Sequence, residues 1–206
     1  SGDKIKKFQI IGCPGCYPTS ILIPLVPLIK KNIIRKDNII IDSKSGYPGA
    51  GRGVHQKYKN KNLYESLSVY GVGVHRHNSE IEQEIKKYTK EKFKFSFTPH
   101  LSPMFRGILS TIYIDLQKGQ TVNSLNNELV KFYKKSDFVQ IVKMNSSLST
   151  NEVINTNNCK ISVCKSKYQD KAIIISSIDN LIKGGAGQAI QNMNILKNFN
   201  IKEGLR

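Results

Sequence analysis

A cysteine at position 16 lies in a turn of the kind that can make a thiol nucleophilic. The apolar residues 8–11 predict a strand before it, and the apolar run 21–29 predicts a helix after it. Pro14 and Gly15 favour a tight turn between the two. Cys16 would then stand at a helix N-terminus, where free backbone N–H groups and the helix dipole favour the thiolate and can stabilise an oxyanion. The residue types therefore predict nucleophilic catalysis by Cys16.

Cys13 and Cys16 also form a C-x-x-C pair, which occurs in redox-active turns and as half of a zinc site. The other two cysteines, Cys159 and Cys164, lie in a predicted strand, where a five-residue step points them to opposite faces. We therefore expect no metal site. Four cysteines in 206 residues do not make a disulfide framework. A redox pair stays open as an alternative, and Cys13 is assigned no catalytic role.

The elements that must position this turn follow one another in mixed order. Besides the strand at 8–11, seven strands are predicted, at residues 38–44, 68–74, 93–97, 108–116, 138–142, 159–164 and 172–178. Four helices are predicted, at 20–31 with a kink or break at Pro24 and Pro27, from a cap at Asn78 or Ser79 to 88, from a Thr121 cap to 133, and from 179 to 198. This succession predicts an α+β fold, with a mixed, mostly antiparallel sheet and helices packed against it.

The formal charge of +17 comes from 27 lysines and 5 arginines that are spread along the chain rather than clustered. This distribution does not predict a nucleic-acid surface, although it helps to attract an anionic substrate. No apolar run approaches the ~20 residues of a membrane span, and no secretory signal pattern opens the sequence. We therefore expect a single globular protein of the cytoplasm, with neither nucleic acid nor membrane as a partner.

Five segments resemble, in order, those of the N-acetyl-gamma-glutamyl-phosphate reductase family, and together they span about residues 10 to 195. They are PGCYPT at 14–19, SGYPGAGR at 45–52, HRHNSEI at 75–81, PHLSPMFRGI at 99–108 and DNLIKGGAGQAIQNMN at 179–194. The family is similar to aspartate-semialdehyde dehydrogenase and, more distantly, to glyceraldehyde-3-phosphate dehydrogenase. The resemblance implies a catalytic domain of the glyceraldehyde-3-phosphate dehydrogenase type, which the nucleophilic cysteine opens.

In such enzymes a Rossmann domain precedes the cysteine, but no G-x-G-x-x-G unit precedes Cys16 and the sequence does not begin with Met. We expect the catalytic C-terminal part of a longer enzyme, without its N-terminal Rossmann domain. Residues 1–178 would form the catalytic and dimerisation domain. Residues 179–206 would form a helix that packs on the nucleotide-binding domain. We do not expect this chain alone to bind NADP(H).

The resemblance implies a reaction, the NADPH-dependent reduction of N-acetyl-L-glutamyl 5-phosphate to N-acetyl-L-glutamate 5-semialdehyde and phosphate in arginine biosynthesis. The acyl group would pass through a thioester on Cys16. The implied partners are this small acyl phosphate and further copies of the chain, in a dimer or tetramer. Open alternatives are an aminoadipate-type reductase, aspartate-semialdehyde dehydrogenase, and a non-catalytic thiol or oligomerisation fragment.

The resemblance also places a pair of histidines at the reaction, because protons must move as the thioester is reduced. His75 and His77 face the same side if their segment is extended, so the spacing does not choose between them. We favour His77 as the acid/base, because it adjoins the predicted helix cap and Glu80 could orient it. His75 is the alternative.

Three of the five arginines fall inside the matching segments, and arginine suits both a phosphate and a carboxylate. Arg52 and Arg106 are the expected substrate contacts. The remaining positions follow from the resemblance, with Ser45 and Gly46 at the substrate and Gly49, Asn180 and Gly184 at the cofactor.

Overall fold

A seven-stranded mixed sheet runs through the part of the chain that the computed structural model describes, residues 2–51 and 65–206. Across the sheet the strands follow the order β2-β3-β1-β4-β7-β6-β5. Their bounds are β1 Ile39–Ser45, β2 Ser68–Val69, β3 Phe95–Leu101, β4 Ile108–Asp115, β5 Val139–Ile141, β6 Cys159–Lys165 and β7 Lys171–Ile178.

The pairing of these strands is mostly antiparallel. β4 pairs antiparallel with β1 and β7, β7 with β6, and β2 with β3. Parallel pairing joins β1 to β3 and β5 to β6. Along β1, β4 and β7 the side chains alternate between buried and more exposed positions, as a sheet covered on one face requires. The predicted α+β fold is therefore confirmed.

Within the described residues, four α-helices accompany the sheet, namely α1 Cys16–Lys30, α2 His77–Ile85, α3 Val122–Tyr133 and α4 Gly187–Lys197. Short 3-10 turns occupy Gly2–Lys7, Tyr47–Ala50 and Thr150–Glu152, and a wider turn with π-type bonding occupies Ile182–Ala186. Among the residues described, no helix combines the length and the apolar character needed to cross a membrane.

α1 is the central helix of the core, and it packs on β4, β7, α2 and α3. Ile21, Leu25 and Leu28 on this helix are fully buried, as are Ile112 of β4 and Ile174 of β7. Burying a side chain of this size contributes about 1.5–3 kcal/mol. This packing fixes α1 against the sheet and hence fixes the helix start that carries Cys16.

The prediction that Pro24 and Pro27 could break the first helix is wrong, because α1 is continuous from Cys16 to Lys30. A proline removes the N–H that would bond to the carbonyl four residues earlier. For Pro27 that carbonyl belongs to Ile23, and the hydroxyl of Tyr133 on α3 donates to it at 2.6 Å. A tertiary hydrogen bond thus replaces the lost helical one.

Two predicted strands are wrong or shortened. The segment 8–11 forms no strand, and Phe8 and Ile10 are exposed, because an apolar run needs a neighbouring strand to bond with. The strand predicted at 68–74 ends at Val69. Gly71 and Gly73 have φ of +58° and +73°, a left-handed conformation that turns the chain instead of extending it.

Further boundaries differ from the predictions. α1 begins at Cys16 rather than at residue 20, and α2 ends at Ile85 rather than at residue 88. β3 continues to Leu101 through residues predicted as a loop, because β1 pairs with it over its whole length. α2 begins at His77 rather than after a cap at Asn78 or Ser79, since Nδ1 of His75 accepts the His77 N–H. Residues 179–198 are not one helix, because Gly185 has non-helical φ and ψ before α4 starts. The Thr121 cap of α3 is confirmed, with a reciprocal bond to Ser124.

Candidate active site

Cys16 is the first residue of α1, and the turn before it is held by side chains and backbone on both sides. Gly15 precedes the helix in an extended conformation, with φ −64° and ψ 163°. Its N–H donates to Oε1 of Glu80 on α2 at 2.9 Å. Its carbonyl accepts from the N–H and the hydroxyl of Thr19, at 2.9 and 2.8 Å. The cysteine turn is therefore anchored to α2 as well as to its own helix.

Glycines allow two other parts of the chain to approach Cys16 closely. A Cβ built on Gly184 would lie 2.6 Å from the Cβ of Cys16, so the backbone at Gly184 rests on the cysteine itself. A Cβ built on Gly15 would lie 2.5 Å from Nε2 of His77, so the imidazole packs against the residue before the cysteine. Both contacts exclude any larger residue. The structure thus brings Cys16, His77 and Gly184 together.

The environment of Cys16 favours its neutral thiol form in this chain. Burial raises the pKa of Cys16 above its usual value, against the lowering effects of the Tyr17 and Cys16 N–H groups and the Arg76 charge. The carboxylate of Glu80 raises it further. The helix N-terminus acts on Cys16 in the predicted direction, but desolvation outweighs it. A partner for the thiol proton is therefore needed before Cys16 can act as a thiolate.

His75 and His77 lie side by side, with ring centroids 4.8 Å apart. The ring of His75 contacts the aromatic rings of Tyr17, Tyr70 and Phe97 edge-on at 5.3 to 5.6 Å. Because His75 Nδ1 already accepts the His77 N–H at 3.1 Å, its orientation is fixed by the start of α2. His75 is thus enclosed by rings, whereas His77 faces the cysteine turn.

His77 is 8% exposed, and its Nδ1 has no hydrogen-bond partner among the described residues. Burial, followed by the charges of His75 and Arg76, lowers the pKa of His77 to about 4. The imidazole is therefore neutral at pH 7 and able to accept a proton. Glu80, expected to orient this ring, bonds instead to the Gly15 N–H.

The depressed pKa of His77 predicts a loss of stability in mild acid. The unfolded chain takes up a proton near the ordinary pKa of about 6.5, whereas folded His77 does so only near 4. The contribution of His77 to stability is therefore complete above pH 6.5, the pKa of the unfolded chain, and is lost as the pH falls from there toward 4. We expect His77 to remove roughly 2 kcal/mol of unfolding free energy between pH 7 and pH 5.

Urea unfolding at these two pH values tests this expectation, with His77→Gln as the comparison. The variant should lose clearly less stability than the parent on acidification. Because burial also lowers the pKa of His75, some pH dependence should remain in the variant. An unchanged pH dependence in His77→Gln would contradict the assigned pKa shift.

A second group of predicted residues surrounds the turn after β1. Ser45 is fully buried, and its hydroxyl donates to the Gly46 carbonyl at 3.0 Å. A Cβ on Gly46 would lie 2.6 Å from the Phe105 carbonyl oxygen, and one on Gly49 would lie 2.4 Å from the Ser45 hydroxyl. These glycines let the loop at 45–51 fold tightly against the loop at 102–107.

Asn180 joins this loop pair to the segment that contacts Cys16. Its Oδ1 accepts the Gly107 N–H at 2.7 Å, while its buried Nδ2 has no partner among the residues described. Asp179 beside it is fully buried and accepts the N–H groups of Leu181 and Ile182 at 2.8 and 3.0 Å. Arg106 lies 3.7 Å from the same carboxylate, with its side chain 33% exposed.

The family of semialdehyde dehydrogenase dimerisation domains matches residues 16–180, from the candidate nucleophile to Asn180. This chain belongs to that family. The match begins at Cys16, and it contains the whole sheet together with α1, α2 and α3. The semialdehyde dehydrogenase dimerisation domain is thus the unit that positions the cysteine turn.

Individual relatives confirm the resemblance to N-acetyl-gamma-glutamyl-phosphate reductases. The chain is 44% identical over 203 residues to a probable chloroplastic reductase of that name from Arabidopsis thaliana. It is 45% identical to the reductase of Clostridium beijerinckii and 46% identical to that of Thermoanaerobacter pseudethanolicus. Each alignment covers 98% of this chain but only 51%, 59% and 58% of the respective relative. The chain therefore spans between half and three fifths of the length of these relatives.

Solved structures agree on the fold of this dimerisation domain. Aspartate semialdehyde dehydrogenase II from Vibrio cholerae superposes with a TM-score of 0.72 at 13% identity, over 96% of this chain and 66% of that one. A probable aspartate-semialdehyde dehydrogenase from Pseudomonas aeruginosa gives the same TM-score at 11% identity. At such low identity the likeness concerns the fold alone.

The cysteines of this dimerisation domain occupy separate places. Cys13 is exposed, and its sulfur accepts from Asn192 Nδ2 at 3.4 Å. Cys159 is fully buried, and Cys164 is half-buried on the other face of β6. Within residues 2–51 and 65–206, no three side chains of the metal-binding types lie close enough together to hold an ion.

Sequence reasoning named most of the residues that meet here but missed several that hold them in place. Arg52 lies outside the described residues, so its predicted substrate contact stays a prediction. The roles of Glu80 at Gly15, of Tyr17 against the histidines and of Lys183 behind Gly184 were not predicted. The contacts of Glu80 and Tyr17 join residues far apart in the chain, and the spacing within a motif carries no signal for them.

Proposed function

We propose that this chain is the catalytic and dimerisation part of an NADP-dependent acyl-phosphate reductase. The reaction would convert N-acetyl-L-glutamyl 5-phosphate to N-acetyl-L-glutamate 5-semialdehyde and phosphate, in arginine biosynthesis in the cytoplasm. The observation that carries the proposal is the placement of Cys16 at the first turn of α1, where Gly184 rests on Cys16 and His77 packs against the preceding Gly15. The names of the relatives at 44–46% identity supply the substrate.

Cys16 is the nucleophile in this mechanism. Its thiolate attacks the acyl carbon, a C–S bond forms, and the C–O bond to phosphate breaks, leaving an acyl thioester and free phosphate. The oxyanion of the addition step lies near the first N–H groups of α1, which have no helical acceptor. After reduction of the thioester carbon, the resulting thiohemiacetal collapses, the C–S bond breaks and the semialdehyde leaves.

His77 is the acid/base in this mechanism. The Cys16 thiol is raised in pKa by burial, whereas His77 is neutral at pH 7, so the imidazole accepts the thiol proton when a substrate is attacked. Protonated His77 then donates this proton to the oxygen of the thiohemiacetal, and it accepts the proton again when the thiohemiacetal collapses. His75 supports the ring of His77 from the side at 4.8 Å.

Arg106 and Arg52 provide the positive charge that attracts the phosphate and the carboxylate of the substrate. Among the described residues, the Arg106 guanidinium lies 3.7 Å from the buried Asp179 carboxylate, whose oxygens also accept three backbone N–H groups, and 5.6 Å from the centre of the Phe105 ring. The Arg106 side chain is 33% exposed. Part of its donor set therefore remains available to an anion. Ser45 and Gly46 shape the adjacent wall of the site.

The described residues fit one end of NADP(H). Asn180 offers a buried, unpartnered amide donor, and Gly49 lies against it, with a Cβ position 3.4 Å from Nδ2. Gly184 brings its backbone against Cys16, the residue beside which the nicotinamide would lie. When bound, NADP(H) supplies the hydride for the thioester carbon. Asn180, Gly49 and Gly184 would hold its nicotinamide end, while the remainder needs a nucleotide-binding segment, against which residues 179–206 would pack.

A homo-oligomer is part of the proposal, with the uncovered face of the sheet as the contact. Ile40, Tyr113 and Ile173 lie in register across β1, β4 and β7. Ile40 and Tyr113 are 46% and 43% exposed, which is unusual for apolar residues in the middle of a sheet. The family name, a dimerisation domain, supports a second copy as the occupant of this face.

Tyr113→Lys should therefore convert a dimer to a monomer, because a charge in the centre of an apolar interface has no partner there. Light scattering after size-exclusion chromatography measures the mass of each species. Val130→Lys on α3 is the matched control, since Val130 is equally exposed but lies on the helical side. A dimer that survives Tyr113→Lys would show that another surface is used.

A hybrid enzyme tests the reaction. The matching part of the Clostridium beijerinckii reductase, aligned over 203 residues, is replaced by this chain, so that the rest of that protein supplies a nucleotide-binding segment. NADPH consumption is then followed with the acetylglutamyl, aminoadipyl and aspartyl phosphates in turn. Turnover with the first substrate alone is expected. Preference for either of the others would reassign the substrate, and no turnover with any would favour a non-catalytic role.

A further inference from the structure

Lys183 is a lysine that the core encloses, with its side chain 6% exposed. Its ammonium donates to Gln191 Oε1 at 3.0 Å and lies 5.2 Å from the ring centre of Phe138. No carboxylate of the described chain forms an ion pair with it. Burial lowers the pKa of Lys183 to about 8, against the raising effect of Cys159. A buried cation without a carboxylate is costly, so its position calls for a role.

The backbone on either side of Lys183 is irregular and depends on side chains for its position. Gly185, two residues later, has φ −153° and ψ −109°, which interrupts the helical bonding before α4. The start of the segment is fixed by Asp179, which accepts the N–H groups of Leu181 and Ile182. Lys183 is the residue between that anchor and Gly184, whose backbone rests on Cys16.

Two hydrogen-bonded routes run from Lys183 to distant parts of the fold. The Lys183 carbonyl accepts from Gln188 Nε2 at 2.6 Å, and the same amide donates to Thr19 Oγ1 at 2.6 Å. Thr19 in turn donates to the Gly15 carbonyl at the start of α1. The residue before Gly184 and the residue before Cys16 are thereby linked through Gln188 and Thr19.

On the other side, Gln191 Oε1 accepts from Lys183 and also from Asn157 Nδ2, at 3.0 Å each. Asn157 is fully buried in the loop before β6. The ammonium is thus held to the sheet edge through a single amide oxygen. Removing the ammonium would cut this tie to the sheet edge and would leave the segment held by the Lys183 carbonyl, by the bonds to the Asp179 carboxylate and by the Gly184 N–H, which donates to the Asp179 carbonyl at 2.9 Å.

Lys183 does not act on the nucleophile through its charge. The charges that shift the pKa of Cys16 are those of Arg76 and Glu80, whereas the charge of Lys183 acts on Cys159. The titratable groups that face the ammonium are the Cys159 thiol and, across an adjoining cavity of about 370 Å³, Glu84 and Tyr133. Its influence on Cys16 must therefore be transmitted by position.

We propose that Lys183 is a positioning residue that holds Gly184 against Cys16 and thereby sets how deeply the thiol is buried. A role of Lys183 in catalysis rests on the proposed function, whereas its effect on the burial of the Cys16 thiol is independent of that function. With the tie removed, Gly184 moves away, water reaches Cys16, and the thiol ionises more easily. Chemical reactivity at Cys16 then rises while productive placement of the cysteine is lost.

The test measures the alkylation of Cys16 by iodoacetamide from pH 6 to 10 in the 206-residue chain. A Cys13→Ser background removes the exposed neighbour, and peptide mass spectrometry assigns the modified cysteine. In Lys183→Met we expect the midpoint of the pH profile to fall and the rate at neutral pH to rise about threefold to tenfold, since one pKa unit changes the thiolate fraction tenfold. A midpoint and rate equal to those of the background would overturn the proposal.

Gln188→Met is the second variant, because it removes the hydrogen bonds to Thr19 and to the Lys183 carbonyl while the Lys183 ammonium stays in place. The midpoint of its alkylation profile is also expected to fall. Lys197→Met, at an exposed position in the last turn of α4, is the matched control and should leave the profile unchanged. If Lys183→Met does not fold, as thermal unfolding would show, the outcome for Gln188→Met decides. Failure of the reductase assay in the hybrid would reject the proposed function but would leave these alkylation profiles intact.

Discussion

Cys16→Ser in the hybrid enzyme is expected to lower turnover at least about 10³-fold, because a hydroxyl beside His77 is a far weaker nucleophile than a thiolate. The replacement is nearly isosteric, so the packing of Gly184 and His77 around it should persist. Two measurements report on the step itself. Steady-state NADPH consumption should vanish, and the burst of phosphate released from the acyl phosphate without NADPH, one per Cys16, should vanish with it.

Cys13→Ser is the matched control, since Cys13 lies only three residues before Cys16 in the chain and is exposed. Its loss removes one contact with Asn192 and should leave both the burst and the turnover within about twofold, as for other surface substitutions. Turnover of Cys16→Ser within tenfold of the parent would remove the thioester from the mechanism. Equal losses in both variants would point to a redox pair instead.

Gly184→Ala is expected to damage both stability and catalysis. The new methyl group would lie 2.6 Å from Cys16 Cβ and 3.0 Å from its Cα, and neither atom can move without moving α1. Overpacking of this kind costs about 1–3 kcal/mol. If α1 shifts to relieve it, the sulfur is misplaced relative to His77, and a displacement of about 1 Å can lower turnover about 10²-fold.

Gly12→Ala is the control for this variant, because a Cβ there meets nothing within 4 Å and the residue precedes the same turn. Urea unfolding of the chain and turnover of the hybrid give the two effects separately. Unchanged stability and turnover in Gly184→Ala would mean that the segment at 182–186 does not rest on Cys16. A loss of stability with unchanged turnover would mean that Gly184 packs on Cys16 but does not determine where its sulfur lies.

Local patterns in the sequence predicted those features that depend on neighbours along the chain. Thr121 caps α3 as expected, since its hydroxyl bonds to Ser124 only three residues away. The alternation of apolar residues placed β1, β4, β6 and β7 within a residue or two. The five matching segments indicated the family, and the cysteine was placed correctly at a helix start.

Features that depend on distant residues were predicted poorly. The strand at 8–11 does not form and β3 runs longer than expected, because hydrogen bonding to a neighbouring strand decides both. At Pro27 in α1, Tyr133 supplies the hydrogen bond that the helix loses there, from a position 110 residues away from its acceptor. Glu80 was expected at His77 but bonds to Gly15, a partner 65 residues away.

The sequence by itself determined the fold class, the family and the residue types that can do the chemistry, because these follow from periodicity and from short motifs. Only the tertiary structure decided the state of those residues. A helix N-terminus favours a thiolate at Cys16, yet burial raises the thiol pKa, and burial also lowers the pKa of His77 to about 4. Desolvation is the sum of what the whole fold packs around a group. It therefore cannot be deduced from the residues beside that group in the chain.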